Sequence, residues 1–130
     1  MPVIIELDFR SDVPIPRQIA DAITLRALGG LLDPGSPLPG VRELALQLQV
    51  NPNSVEQAYD LLLSEGVAKF GSGDEAVTVA HPAAEIAPSG RDAFARTMRG
   101  LLGRARRAGL STGQLTRIFD EVMEGIDGGE

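Results

Sequence analysis

Asn53 and Gln57 stand four residues apart in Pro52-Asn53-Ser54-Val55-Glu56-Gln57, and a carboxamide is the side chain whose donor and acceptor match adenine N6 and N7. On a helix the pair would lie one turn apart and project along one line, each good contact discriminating between bases by about 1–3 kcal/mol. Two amides on a solvated helix face are otherwise ordinary. Arg42 could clamp a backbone phosphate, or pair at the surface with Glu43 or Glu65, where ion pairs contribute little. Ser54 could donate its hydroxyl to a phosphate or simply satisfy a first helical turn. Lys69 is a further cation, set against acids nearby in the chain.

Two short amphipathic patterns between Leu38 and Gly66 would position these groups. In the first, Val41, Leu44, Ala45 and Leu48 recur at three- and four-residue steps and define a buried face. A tight Val50-Asn51-Pro52 turn follows. Asn51 can cap the next helix with its side-chain oxygen, and Pro52 suits the first helical position, where an N–H has no partner to lose. From there Val55, Ala58, Tyr59 and Leu62 point inward, with Tyr59 read as a core residue whose hydroxyl is hydrogen-bonded. Of Leu61 and Leu63, which flank Leu62, at least one should be exposed. Asn53, Ser54, Gln57 and Asp60 face outward. Such a helix-turn-helix presents its second helix to the DNA major groove. The candidate contact set is therefore Arg42, Asn51, Asn53, Ser54, Gln57 and Lys69.

Composition narrows the function classes. The 130 residues include no cysteine and one histidine, His81, which leaves no basis for a disulfide, a zinc ribbon, a thiol nucleophile or a His-rich metal cage, and no cofactor is expected. The carboxylates are scattered, and no nucleophile–base spacing argues for an enzyme. The acidic start and the lack of a long apolar run predict a soluble cytoplasmic protein with no membrane partner. Charge is unevenly spread: residues 1–80 set five cations against eleven acids, whereas residues 81–130 balance. The deficit falls on the half that would approach a polyanion, and phosphate neutralisation supplies much of the affinity of DNA-binding proteins.

Around the central motif, Val3–Phe9 reads as an extended arm or edge strand. A first helix is expected from about Pro16 to Leu31, with Ile15, Ile19, Ile23, Ala27, Leu28 and Leu31 on one stripe. Val67–Phe70 and Ala76–Ala80 flank a glycine-rich turn containing Gly71 and Gly73, a hairpin that would be the wing completing a winged helix-turn-helix DNA-binding domain over residues 1–80. Residues 81–90 read as a linker. Within 91–130, Phe94, Met98, Leu101 and Leu102 line one face of a basic helix, Arg91–Ala108. Ser111 and Gln114 form a capping box for a last helix bearing Leu115, Ile118, Phe119, Val122, Met123 and Ile126.

The expected fold is thus mostly α with a small β-hairpin, a winged helix-turn-helix followed by a C-terminal αα-hairpin. Some forty residues cannot bury enough surface alone, so 91–130 is read as a homodimerisation module. The arginines between Arg91 and Arg107 form a solvated face, or pair with Asp120, Glu121 and Glu124, or with the acidic winged domain of either protomer. A seam between helices could also accept a small apolar effector of unknown identity.

Val13-Pro14-Ile15-Pro16-Arg17-Gln18-Ile19, Leu32 through Ala45 with its Pro37-Leu38-Pro39-Gly40-Val41-Arg42-Glu43-Leu44 core, Val50 through Val55, Ala58-Tyr59 and Glu65-Gly66 together resemble the DNA-binding domain of GntR-type bacterial regulators. The short C-terminal piece with its Ala108-Gly109-Leu110-Ser111 corner is similar to the YtrA subfamily. The resemblance implies a dimeric winged-helix transcription factor, usually a repressor, on a pseudo-palindromic operator of double-stranded DNA. It implies a backbone-holding role for Arg42 and places Asn53 and Ser54 at the start of the reading helix. The chain departs from the family pattern at Glu56, where some branches carry arginine, and at the acidic wing residues Asp74 and Glu75. Those departures keep open an alternative, an acidic winged-helix interaction module or adaptor with weak or lost DNA binding.

Overall fold

The computed structural model describes residues 5–71, 77–80 and 83–128. The chain divides into two units, Met1–Thr97 and Met98–Glu130. Three helices, α1 (Ile15–Leu28), α2 (Val41–Leu48) and α3 (Pro52–Ser64), precede a two-stranded hairpin of β1 (Ala68–Phe70) and β2 (Val77–Val79). Two longer helices follow, α4 (Ala83–Arg107) and α5 (Thr112–Gly128). The fold is mostly helical with a small antiparallel hairpin, as the residue pattern predicts.

The first unit closes around the apolar stripes. Ile19 and Ile23 of α1, Leu44 of α2, and Val55 and Leu62 of α3 are all buried, with Val67 and Val79 of the hairpin completing the cluster. Each such side chain contributes roughly 1.5–3 kcal/mol by leaving water. Leu61 and Leu63 both pack part-buried against this cluster, so neither is left exposed as the pattern had suggested.

Helix α1 ends sooner than expected. Gly29 caps it, Gly30 takes a left-handed φ of 78°, and the N–H of Leu31 returns to the Arg26 carbonyl at 2.8 Å. That turn costs glycine nothing and throws Leu31 off the stripe, leaving it 72% exposed. Before α1, residues 5–9 form no strand; Ile5 is buried in the core instead. Gln18 ties this arm down, accepting from the Asp8 N–H at 2.8 Å and donating to the Asp8 and Val13 carbonyls.

The hairpin pairs Ala68 with Val79, Lys69 with Thr78 and Phe70 with Val77. The loop before α2 covers the other edge of β2: Gly35 and Leu38 donate to the Val79 and Val77 carbonyls, each at 2.8 Å. That edge is therefore not open to another strand. The turn residues Gly73, Asp74 and Glu75 lie outside the described residues, as does His81.

The expected linker is largely helix. Residues 83–90 belong to α4, which runs through Pro88 and on to Arg107. Packing explains it. Gly90 is buried so close to α1 that a Cβ there would collide with the Leu28 side chain, Ala93 is fully buried, and Arg96 reaches Asp21. Contacts with α1 outweigh the local preference of a Pro- and Gly-containing stretch for irregular backbone.

In the second unit Gly109, at φ 105°, ends α4's extension and Ser111 opens α5. The capping box is present: the Ser111 N–H donates to Gln114 Oε1 at 2.8 Å and the Gln114 N–H to Ser111 Oγ at 3.1 Å. Leu101, Leu102, Ile118, Phe119, Val122, Met123 and Ile126 are exposed in the single chain, and Met98 and Leu115 are part-buried. Phe94, in the first unit, is exposed as well.

Candidate nucleic-acid interface

The turn into α3 is fixed by its own side chains. Gln49 closes α2 in the left-handed region at φ 58°, and the Val50 N–H donates back to the Ala45 carbonyl at 3.0 Å. Asn51 then caps α3: its side-chain oxygen accepts from the Asn53 N–H at 2.9 Å, and its carbonyl accepts from the Ser54 N–H at 2.9 Å. The Asn51 carboxamide oxygen is thus occupied within the turn, and the residue as a whole is exposed.

Asn53, Glu56, Gln57 and Asp60 fall within one outward arc of α3, all exposed, and Ser54 is part-buried at the arc's edge. Among the described residues the carboxamides of Asn53 and Gln57 make no hydrogen bond within the chain, so both are available to an external partner. Gln57 and Asp60 also line an open groove of about 560 Å³ with Pro14, Pro16, Arg17, Leu61 and Ser64. Helix α3 contains no lysine or arginine, and its outward arc carries two carboxylates.

Arg42 is exposed in the first turn of α2 and forms no ion pair among the described residues. The pairing with Glu65 that its sequence allowed is taken by Arg17, which donates to both Glu65 oxygens at 3.1 and 2.7 Å. Lys69 is exposed on β1, and Gly71 is part-buried just beyond it.

Tyr59 sits on the inner face of α3 and donates its hydroxyl to the Pro39 carbonyl at 2.6 Å. Burial raises its pKa, and the negative charge of Glu43 adds to the effect. The phenol is a core strut and not a base-stacking group.

One constellation escaped the residue pattern. Asp21 on α1 is 2% exposed, accepts from Arg17 Nε at 3.1 Å, and holds the Arg96 guanidinium bidentately at 2.8 and 2.8 Å. Arg17 continues the chain of charges to Glu65 at the end of α3. Hydrogen bonds to Glu65 and Asp21 raise the pKa values of Arg17 and Arg96 respectively. The four-residue step from Arg17 to Asp21 was legible, and the winged domain's acids were among the partners open to the α4 arginines. The choice of Asp21 by Arg96, 75 residues away, had no local signal.

Residues 16–74 match the family of bacterial regulatory proteins named for gntR. An HTH-type transcriptional regulator of Bacillus subtilis strain 168, YhcF, is 34% identical over 119 residues, covering 91% of each chain. The HTH-type transcriptional repressor YtrA of the same strain is 29% identical over 126 residues, covering 97% of each. The solved structure of YtrA from Sulfolobus acidocaldarius, a GntR-family transcription factor, superimposes with a TM-score of 0.57 at 32% identity, covering 79% of this chain and 97% of that one. The family and these relatives are transcriptional regulators, not enzymes. With a capped second helix, a hairpin behind it and a match along nearly its full length, the chain belongs to the GntR family of bacterial transcription regulators, in its YtrA-like branch.

Proposed function

We propose that the protein is a cytoplasmic homodimer that reads a pseudo-palindromic operator through the major groove and represses transcription. The observation that carries this reading is the exposed α3 arc, where Asn53 and Gln57 extend from a capped helix start with no side-chain partner among the described residues. The exposed apolar faces of α4 and α5 support a dimer, because a water-exposed row of Leu, Ile, Phe and Val is stabilised by a self-complementary copy. The repressor named among the relatives supports the sign of regulation. In this reading Arg42 and Lys69 touch phosphate, Asn51 and Ser54 fix the helix start against the backbone, and Gly71 belongs to the wing.

Fluorescence anisotropy on DNA upstream of the protein's own coding region tests it. Saturable binding that weakens steeply with salt is expected. Arg42→Ala should weaken binding to every sequence, and Asn53→Ala should relax choice at one base pair. Equal effects of both variants on cognate and random DNA contradict these roles.

A second reading, an acidic adaptor with weak DNA affinity, is favoured by two observations: α3 lacks any cation, and Arg17 is consumed by Asp21 and Glu65. Asp74→Lys with Glu75→Lys discriminates. It should strengthen DNA binding markedly if the domain docks on DNA and change little if it does not.

A further inference from the structure

Glu56 lies in the second turn of α3, exposed on the same outward arc as Asn53 and Gln57, and its carboxylate has no hydrogen bond or ion pair among the described residues. Its helix neighbours at three and four residues are Asn53, Pro52, Tyr59 and Asp60, so no cation on α3 neutralises it. At about 100° per residue Glu56 falls to one side of the Asn53 line and Gln57 to the other. The acid is thus flanked by the two amides. A helix that enters the major groove touches base edges with the residues near its N-terminus, and Glu56 is among them. Asp60 carries the same charge on the same arc but one turn further on, where it lines the open groove beside Pro14 and Pro16.

An ionised carboxylate accepts hydrogen bonds and donates none. In the major groove guanine offers two acceptors, thymine an acceptor and a methyl group, and adenine a donor beside an acceptor. Cytosine offers its N4 amine, a donor with no acceptor on its own edge. From this we infer that Glu56 is a specificity-determining residue whose carboxylate accepts from the N4 amine of cytosine. The inference rests on the operator-binding reading above and deepens it: the charge that weakens attraction to phosphate also selects a base. One winged unit suffices for it. A carboxylate that only repels phosphate lowers affinity for every sequence alike, whereas one that reads a base spares the sequence it matches.

The test compares full-length wild type with Glu56→Gln, Glu56→Ala and Asp60→Asn, with a melting temperature recorded for each. Both acids are exposed and without partners among the described residues, so all four proteins should melt within a few degrees of one another. A bound sequence is obtained by selection from random duplexes on wild type. Anisotropy is then measured on that duplex, on its single-base-pair substitutions and on random DNA, at about 0.05 and about 0.2 M salt.

Wild type should favour cytosine at one position by about fivefold or more over the other bases. Glutamine presents a donor beside an acceptor, the match for adenine, so Glu56→Gln should move the preference there from cytosine to adenine. Glu56→Ala should level it to within about twofold. Asp60→Asn should raise affinity for random DNA at low salt, as Glu56→Gln does, while cytosine stays preferred. The cytosine preference should persist at the higher salt, where the gain on random DNA fades.

The same base preferences in wild type and Glu56→Ala overturn the role, and so does a uniform gain on every duplex, which is the mark of repulsion alone. A fall in melting temperature that tracks the lost preference marks a merely structural residue and overturns it too. Wild type that selects no sequence at all overturns the operator reading, and this role falls with it. Wild type that selects a sequence indifferent to Glu56 overturns this role alone.

Discussion

The hydroxyl of Tyr59 on α3 reaches back twenty residues to the carbonyl of Pro39 at 2.6 Å, joining α3 to the loop that launches α2. One bond thus holds together the two parts of the motif that carry Asn53 and Arg42. Replacing the tyrosine leaves a part-buried carbonyl without its donor.

Tyr59→Phe is expected to lower stability by about 1–3 kcal/mol near neutral pH, measured by urea denaturation. The pH dependence carries a sign. The folded protein holds the phenol proton more tightly than the unfolded chain, because burial and then Glu43 raise its pKa. The stability from the protonated phenol is complete below the unfolded value of about 10 and is lost as pH climbs above it, at up to about 1.4 kcal/mol per pH unit. The gap between wild type and Tyr59→Phe should therefore narrow between about pH 10 and 11. A constant gap would contradict the burial of the hydroxyl.

Gln49 and Asn51 make opposite predictions within one turn. Gln49 occupies φ 58°, where a Cβ is strained, so Gln49→Gly should stabilise the protein by about 0.5–1 kcal/mol. Asn51 supplies the cap to the Asn53 N–H, and Asn51→Ala should cost about 1 kcal/mol. Thermal melts of both variants measure the pair, and a stabilising Asn51→Ala would show the cap to be dispensable.

Glu56 stands exposed between Asn53 and Gln57 on a helix without cations. Glu56→Gln removes one charge from the face proposed to meet DNA, so affinity for random DNA at low salt should rise several-fold. The increase should shrink as ionic strength approaches about 0.15 M and screening sets in within about 8 Å. Salt-independent affinity changes would place Glu56 away from the duplex.

Phe119 is 52% exposed in the single chain, so Phe119→Glu removes little packing within it. If the apolar face of α5 joins two copies, this variant should behave as a monomer by light scattering at low micromolar concentration while keeping the helix content of wild type. An unchanged dimer would move the interface elsewhere.

The turn at Asn51 and Pro52, the inward positions of α2 and α3, and the Ser111–Gln114 box were legible because each is set by neighbours a few residues away. Periodicity and capping are local, and they determined the winged helix-turn-helix and the exposed amides of α3. Helix α1 was legible only on one side. Its stripe of Ile19 and Ile23 was read correctly, but Asp21 on the opposite side carries a charge, and a charged position reads as solvent-facing. The tertiary structure buried that second side as well, under a segment whose Pro88 and Gly90 resemble a linker. The reason is physical: a buried carboxylate is tolerated only when paired, and its partner Arg96 comes from the far end of the sequence. Only the folded chain could decide which of many surface arginines would meet which acid.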